Sequence, residues 1–210
     1  MDDRPPVLPA DIELVRRLGE GQRSVGYEAR WRGRRVAVKC YRPEFVAKYR
    51  RRYGVDLAEF EFGRNAAFRA LPGLAGLCPE PLRALTAAEG FSTAFVQEYV
   101  EGPDIRALIA QLGYLPFELL QKARLAVDTA RAHGLHDLDI NDSNVRAVQD
   151  ADGWRPLICD FNLMPQHLHA PNPLRALQFR LGLRDKSFRD YQCLDIWVAI
   201  ARGRVIAPQS

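Results

Sequence analysis

The chain has 210 residues, 47% of them hydrophobic and 27% charged, with a formal net charge of +4. That length suffices for one large or two small lobes with real cores; no run reaches the roughly 18 apolar residues of a membrane span and Met1–Pro6 does not read as a signal peptide, so a cytoplasmic location is expected. Four cysteines, Cys40, Cys78, Cys159 and Cys193, stand far apart without a C-x-x-C pair, a pattern of core thiols and not of zinc or disulfides, and the positive charge permits an anionic partner without selecting one.

In chain order, Ile12–Leu18 reads as a first strand and runs into Gly19-Glu20-Gly21-Gln22-Arg23-Ser24. Two glycines around one residue let a hairpin bring backbone N–H groups against phosphates, where a Cβ would collide. Beyond a turn at Gly33, Val36-Ala37-Val38-Lys39-Cys40-Tyr41 is a short apolar strand with a lysine inside it. One pleat face of such a strand is buried, and an ammonium there needs an anionic partner to offset its desolvation. From Asp56 to Leu71, the residues Leu57, Phe60, Ala67, Phe68 and Leu71 recur at helical period, and Pro72-Gly73 ends the helix. At about 100° per residue Glu61 borders that apolar face, whereas Glu59 points nearly opposite. Much of the positive charge is local, in Arg30–Arg35 and Lys48–Arg52.

Cys78–Leu82 leads into a further strand, and Phe91–Gly102 is another that ends at glycine. Asp104 suits the N-cap of a helix starting at Ile105. A longer amphipathic helix spans Phe117–Ala132 and closes at His133-Gly134, with Leu135–Asn144 following at once. Within that stretch Asp139 stands five residues before Asn144. Val145–Val148 and Arg155–Cys159 read as a hairpin closed by Asp150–Gly153, which presents Asn144 and Asp160 at its open end. Met164–Pro173 is loop-like, while Leu174–Leu181 and Phe188–Ala201 have helical patterns. Their apolar residues Leu174, Leu177, Leu181, Leu194, Trp197 and Ile200 are expected to cover the two preceding helices.

Taken in order, G-x-G at Gly19, V-A-V-K ending at Lys39, a helix glutamate, a strand ending near Gly102, D-x-x-x-x-N from Asp139 to Asn144 and D-F-x at Asp160 resemble the protein-kinase-like superfamily over residues 12–163. The short remainder, with Pro173-Leu174 followed by Leu183-Arg184, is similar to the small bacterial YrbL-type kinase-like family of the PhoP regulatory network. The D-L-x-x-x-x-N and D-F-x pieces also resemble bacterial lipopolysaccharide-core sugar kinases. This likeness implies an α+β, two-lobed protein-kinase-like fold. An antiparallel N-lobe sheet with one helix would occupy residues 1–98, and a hinge with a truncated helical C-lobe residues 99–210.

The resemblance also implies ATP and Mg²⁺ as cofactors and a hydroxyl acceptor on protein or saccharide, with nucleic acid not expected. By the same resemblance Gly19, Gly21 and Ser24 lie over the phosphates, and Lys39 clamps them with Glu61 as its ion-pair partner. Glu98 and Val100 pair with the adenine edge, and Asp104 meets the ribose. Asp139 is the catalytic base, and Asn144 with Asp160 holds the metal. Phosphoryl transfer needs such a set: one carboxylate to orient or deprotonate the attacking hydroxyl, and a carboxylate plus a carboxamide for Mg²⁺.

Four departures stand against this pattern. Ser24 takes the place of the third glycine of the loop. Asp137 replaces the histidine two residues before the catalytic aspartate, with His136 beside it. No lysine follows two or four residues beyond Asp139, and Asn162 replaces the glycine after Phe161. An active kinase, a nucleotide-binding pseudokinase with a regulatory role and an unrelated α+β binding protein are the three classes left open.

Overall fold

Five strands, Ile12–Glu20 (β1), Ser24–Trp31 (β2), Arg34–Tyr41 (β3), Pro81–Leu85 (β4) and Ala94–Glu98 (β5), form an antiparallel sheet in the order β1-β2-β3-β5-β4. They come from a computed structural model that describes residues 5–203. Side chains alternate across a strand. Val36, Val38 and Cys40 of β3 therefore enter one apolar layer with Ile12, Ala29, Leu85, Ala94 and Val96. Ala37, Lys39 and Tyr41 take the other face of the strand. Burial pushes the Cys40 thiol up to about 12, so it behaves as a small apolar residue.

Two helices accompany the sheet. Pro43–Tyr53 (α1) starts at a helix-compatible proline and stops at Gly54, whose φ of 70° is the left-handed C-cap that glycine tolerates best. This helix carries the basic cluster Lys48–Arg52 and comes in addition to the one marked by the apolar period. Leu57–Arg69 (α2) is started by Asp56, whose carboxylate accepts from the backbone N–H of Ala58 at 3.0 Å. Its inward face differs from the apolar pattern: Ala67 is exposed and Phe60 half-buried, while Glu61, Arg64 and Asn65 are buried beside Leu57, Ala58 and Phe68. A helix that buries three polar residues on one stripe hides that stripe from a hydrophobicity count.

The chain divides into two compact units, the first running to Ala66 and including Pro79–Val100, the second comprising Ala67–Cys78 and the chain from Glu101 on. In the second unit lie Ile105–Leu112 (α3), Phe117–Ala132 (α4), the hairpin Val145–Asp150 (β6) and Gly153–Ile158 (β7), Pro173–Arg180 (α5) and Phe188–Ala201 (α6). Its core joins Leu108, Leu119, Ala123, Leu138, Ile158, Phe161, Leu194 and Trp197. Gly102 has φ 143° and a Cβ there would lie 2.2 Å from the Ala147 carbonyl oxygen, so only glycine lets the chain pass β6 this closely.

One expectation fails. Leu174, Leu177 and Leu181 are 65%, 50% and 59% exposed, and α5 is anchored through Phe179 on its opposite face. Leu194 and Trp197 are buried, and Ile200 packs partly against the same core. Among the described residues no helix is long and apolar enough to cross a membrane.

Candidate functional site

In the first unit, Lys39 Nζ sits 3.0 Å from both carboxylate oxygens of Glu61. β3 and α2 bring them together: Lys39 lies on the pleat face opposite Val36 and Val38, and Glu61 lies on the buried stripe of α2. Glu61 is 0% exposed and the Lys39 side chain 19%, so the ion pair is shielded from water and its loss would be costly. The Tyr41 hydroxyl also donates to Glu61, and Asn65 Nδ2 donates to the Glu61 carbonyl at 3.0 Å. Glu59 is exposed.

Gly19 pairs with Gly26 near the end of β1, and the Gly21 N–H donates to the Ser24 carbonyl at 2.9 Å. A Cβ at Gly19 would meet no protein atom within 4 Å, and one at Gly21 only the Ser24 carbonyl at 3.7 Å. The space around these two glycines therefore does not by itself demand them. Glu98 closes β5. Its N–H donates to the Glu80 carbonyl and its carboxylate accepts from the Glu80 N–H, while Val100 follows half-buried outside the strand.

In the second unit the segment from Leu135 to Asn144 has no regular structure and is held by side chains. Asn144 donates from Nδ2 to the Asp139 carbonyl at 3.0 Å and to its carboxylate at 3.2 Å. With Nδ2 so engaged, the amide oxygen, which accepts only a long 3.5 Å bond from Ser143 Oγ, is the end that can turn to a cation. Asn141 Oδ1 accepts from the N–H groups of Ser143 and Asn144 at 3.0 and 3.1 Å, an Asx turn that sets the position of Asn144. The Cys159 N–H donates to the Asn144 carbonyl at 2.8 Å, which places Asn144 and the residue preceding Asp160 at the same end of the hairpin. Asp160 is half-buried. Asp104 caps α3, accepting from the Ala107 N–H at 2.8 Å, and forms an isolated bridge with Arg146.

Asp137 and Asp139 have φ of 55° and 63°. Aspartate tolerates that region better than most residues, at a cost of about 1–3 kcal/mol, and such conformations cluster at functional loops. Helix α6 holds them there. Asp190, 0% exposed, accepts from the N–H groups of Leu138 at 2.9 Å and Ile140 at 3.0 Å, and Trp197 Nε1 donates to Asp142 at 2.7 Å. Burial is the main cause that raises the Asp190 carboxyl to about 6, against the pull of those two amides. Arg189, one residue earlier, reaches Asp139 Oδ1 at 3.5 Å and Asp137 Oδ1 at 4.0 Å. The sequence patterns leave Asp190 unmarked; its one signal is an aspartate in register with Leu194 and Trp197 on the buried stripe of α6.

Asp137 is buried and accepts from Asn162 Nδ2 at 3.1 Å and from the Gln166 N–H at 2.9 Å. Two departures from the kinase pattern thus meet in one hydrogen bond. Asn162 also accepts from the Met164 N–H at 3.2 Å, which fixes the turn after Phe161. Among the described residues no three His, Cys, Asp or Glu side chains gather to hold a metal on their own. Asn144 and Asp160 fit a Mg²⁺ that keeps phosphate oxygens and water as its other ligands, the usual state of that ion.

The fold is of the protein kinase class, α+β with a truncated helical part. It is similar to a doubly substituted form of the PknI kinase domain of Mycobacterium tuberculosis, with TM-score 0.61, 22% identity, and coverage of 100% of this chain and 81% of that one. The PknI kinase domain without substitutions gives TM-score 0.59 and 21% identity over 97% of this chain and 78% of that one. No protein-family model and no curated protein matches the sequence.

Proposed function

We propose that the protein is an ATP- and Mg²⁺-dependent phosphotransferase acting on a hydroxyl, most simply a protein serine or threonine. The observation that carries this reading is the bond from Asn144 Nδ2 to Asp139. It orients a carboxylate for an acceptor hydroxyl and leaves the amide oxygen for a metal in the same step. Lys39, held by Glu61, supplies the cation for the nucleotide phosphates, with Gly19, Gly21 and Ser24 as their backbone cover. Glu98 and Val100 offer the adenine contacts, and Asp104, although it caps α3, retains a second carboxylate oxygen for a ribose hydroxyl.

In this reaction the acceptor oxygen bonds to the γ-phosphorus and its proton passes to the Asp139 carboxylate. The bond from that phosphorus to the bridging oxygen breaks, and ADP leaves with the electron pair. Asn144 and Asp160 would hold Mg²⁺, which would neutralise phosphate charge.

We place the protein with small bacterial YrbL-type kinases on the strength of the motif order and the tail pattern, and in the cytoplasm because no apolar run of the sequence reaches the length of a membrane span. A second reading, a nucleotide-binding pseudokinase, is favoured by Asp137 and Asn162 in place of histidine and glycine. Calorimetry of Mg²⁺-ATP binding beside phosphotransfer to protein, sugar and water separates the two. Binding with transfer above an Asp139→Asn background is expected, and binding without it leaves the regulatory reading.

A further inference from the structure

We propose that Arg189 is the cation that attends the transferred phosphoryl group, doing from α6 what a lysine beyond Asp139 does in most protein kinases. The inference rests on the phosphotransferase reading and names a catalytic residue within it. The two loop positions where most protein kinases carry a cation, two and four residues beyond Asp139, are Asn141 and Ser143 here. Both are engaged in the Asx turn, Asn141 as acceptor and Ser143 donating from its N–H and hydroxyl.

Arg189 is brought to the loop by its neighbour. Asp190 takes the amides of Leu138 and Ile140, whose side chains are buried, and so holds Asp137 and Asp139, the neighbours of Leu138, against the first turn of α6. There the guanidinium stands 3.5 Å from Asp139 Oδ1 and 4.0 Å from Asp137 Oδ1. Both separations exceed a normal hydrogen bond, so charge steers the group while its N–H donors are not locked onto either carboxylate. The Arg189 side chain is 41% exposed, whereas Asp137 is 1% exposed, so a guanidinium beside buried negative charge belongs to a side chain that solvent still reaches.

A phosphoryl group accepting the Asp139-bound hydroxyl must come within a few ångströms of that carboxylate. A planar guanidinium already beside it can take two phosphoryl oxygens as charge spreads over them in the transition state. Asp137 gives this placement a reason: a buried carboxylate in the place of a neutral histidine adds the second negative charge that draws Arg189 in.

The test uses the full chain with Arg189→Met and Arg189→Lys. Two quantities are read: kcat and KM for ATP, and calorimetric affinity for Mg²⁺-ADP with and without aluminium fluoride, a mimic of the phosphoryl group in transit. Arg189→Met is expected to lower kcat about 100-fold, to leave KM and Mg²⁺-ADP affinity unchanged, and to abolish the tightening by fluoride. Arg189→Lys should restore part of both. Thermal melts check folding, and because Asp190 rather than Arg189 anchors the loop, Arg189→Met should melt close to wild type. If it does not, Arg189→Lys carries the comparison alone.

Equal fluoride tightening in wild type and Arg189→Met would overturn the proposal and leave Arg189 as a positioning residue for Asp139. Mg²⁺-ADP binding without tightening in wild type would overturn it too, as the pseudokinase outcome. Absence of nucleotide binding in wild type would instead defeat the phosphotransferase reading on which it stands.

Discussion

Asn162 donates its side-chain amide to the buried carboxylate of Asp137 at 3.1 Å, so the residue after Asp160-Phe161 is tied to the residue two before Asp139. Each is a departure from the kinase pattern taken singly. Together they replace a histidine and a glycine by an acceptor and its donor, and the loop and the turn are joined by a side-chain bond.

Removing one end should therefore cost more than removing both. Asn162→Gly removes one donor from a buried carboxylate that the Gln166 N–H also serves, and a hydrogen bond to a charged group contributes about 1.5–3 kcal/mol. Urea unfolding of Asn162→Gly, Asp137→Asn and the double variant should give a coupling energy of at least about 1 kcal/mol. Strict additivity would mean that the two residues are merely neighbours.

The Lys39–Glu61 pair is asymmetric, and so should be its variants. Lys39→Ala takes the cation from a carboxylate that is 0% exposed, whereas Glu61→Ala takes the carboxylate from an ammonium whose side chain is 19% exposed and can turn toward water. Breaking a buried pair costs about 3–5 kcal/mol. Lys39→Ala should sit at the upper end of that range and Glu61→Ala below it, by denaturant midpoint. On turnover the two should be equivalent and less than additive, because they act as one unit. Additive losses in kcat/KM would separate Glu61 from the function of Lys39.

Asp190 links pH to both stability and activity, with opposite signs. Its carboxyl is raised to about 6, chiefly by burial. Its ordinary value is near 4, so the folded chain holds this proton more tightly than the unfolded chain does. That contribution to stability is complete below about pH 4 and is lost as pH rises through about 6. The loop, however, uses the ionised form, in which both oxygens accept from Leu138 and Ile140. Between pH 5 and 7 the stability advantage of wild type over Asp190→Asn should shrink while phosphotransfer by wild type rises. A stability difference flat across that range would show that Asp190 is charged throughout.

How legible these features were depended on which residues carried the pattern. β3 announced itself because Val36 and Val38 alternate with Lys39, and a strand lysine has few explanations. α6 was legible as a helix, yet its buried aspartate was not, since a helix aspartate is ordinarily solvated. Only the loop amides of Leu138 and Ile140, fifty residues away in sequence, explain it. α1 is unmarked because Tyr49 is its one buried residue, Phe45, Val46 and Tyr53 are only half-buried, and its last turn is basic. The exposed Leu174, Leu177 and Leu181 misled for the opposite reason: their period is helical, but the face they form is turned outward and Phe179 does the anchoring.

Asp160 and Asp139 should fail in different ways, and the difference separates an enzyme from a nucleotide-dependent switch. The bonds of Asn162 to Asp137 and Met164 fix the turn after Phe161 without a left-handed residue there, so Asp160 keeps its place next to Cys159, whose N–H is bound to the Asn144 carbonyl. Asp160→Asn keeps the shape and removes the charge, which should weaken Mg²⁺-dependent ATP binding and lower turnover by about 100-fold or more. Asp139→Asn retains an acceptor for Asn144 Nδ2 and should leave Mg²⁺-ATP affinity within about twofold while lowering kcat by a similar factor. Calorimetry with Mg²⁺-ATP, run beside single-turnover phosphotransfer, reads both. Equal loss of nucleotide affinity in the two variants would place Asp139 among the metal-holding groups, and transfer by Asp139→Asn at the wild-type rate would remove it from the chemistry.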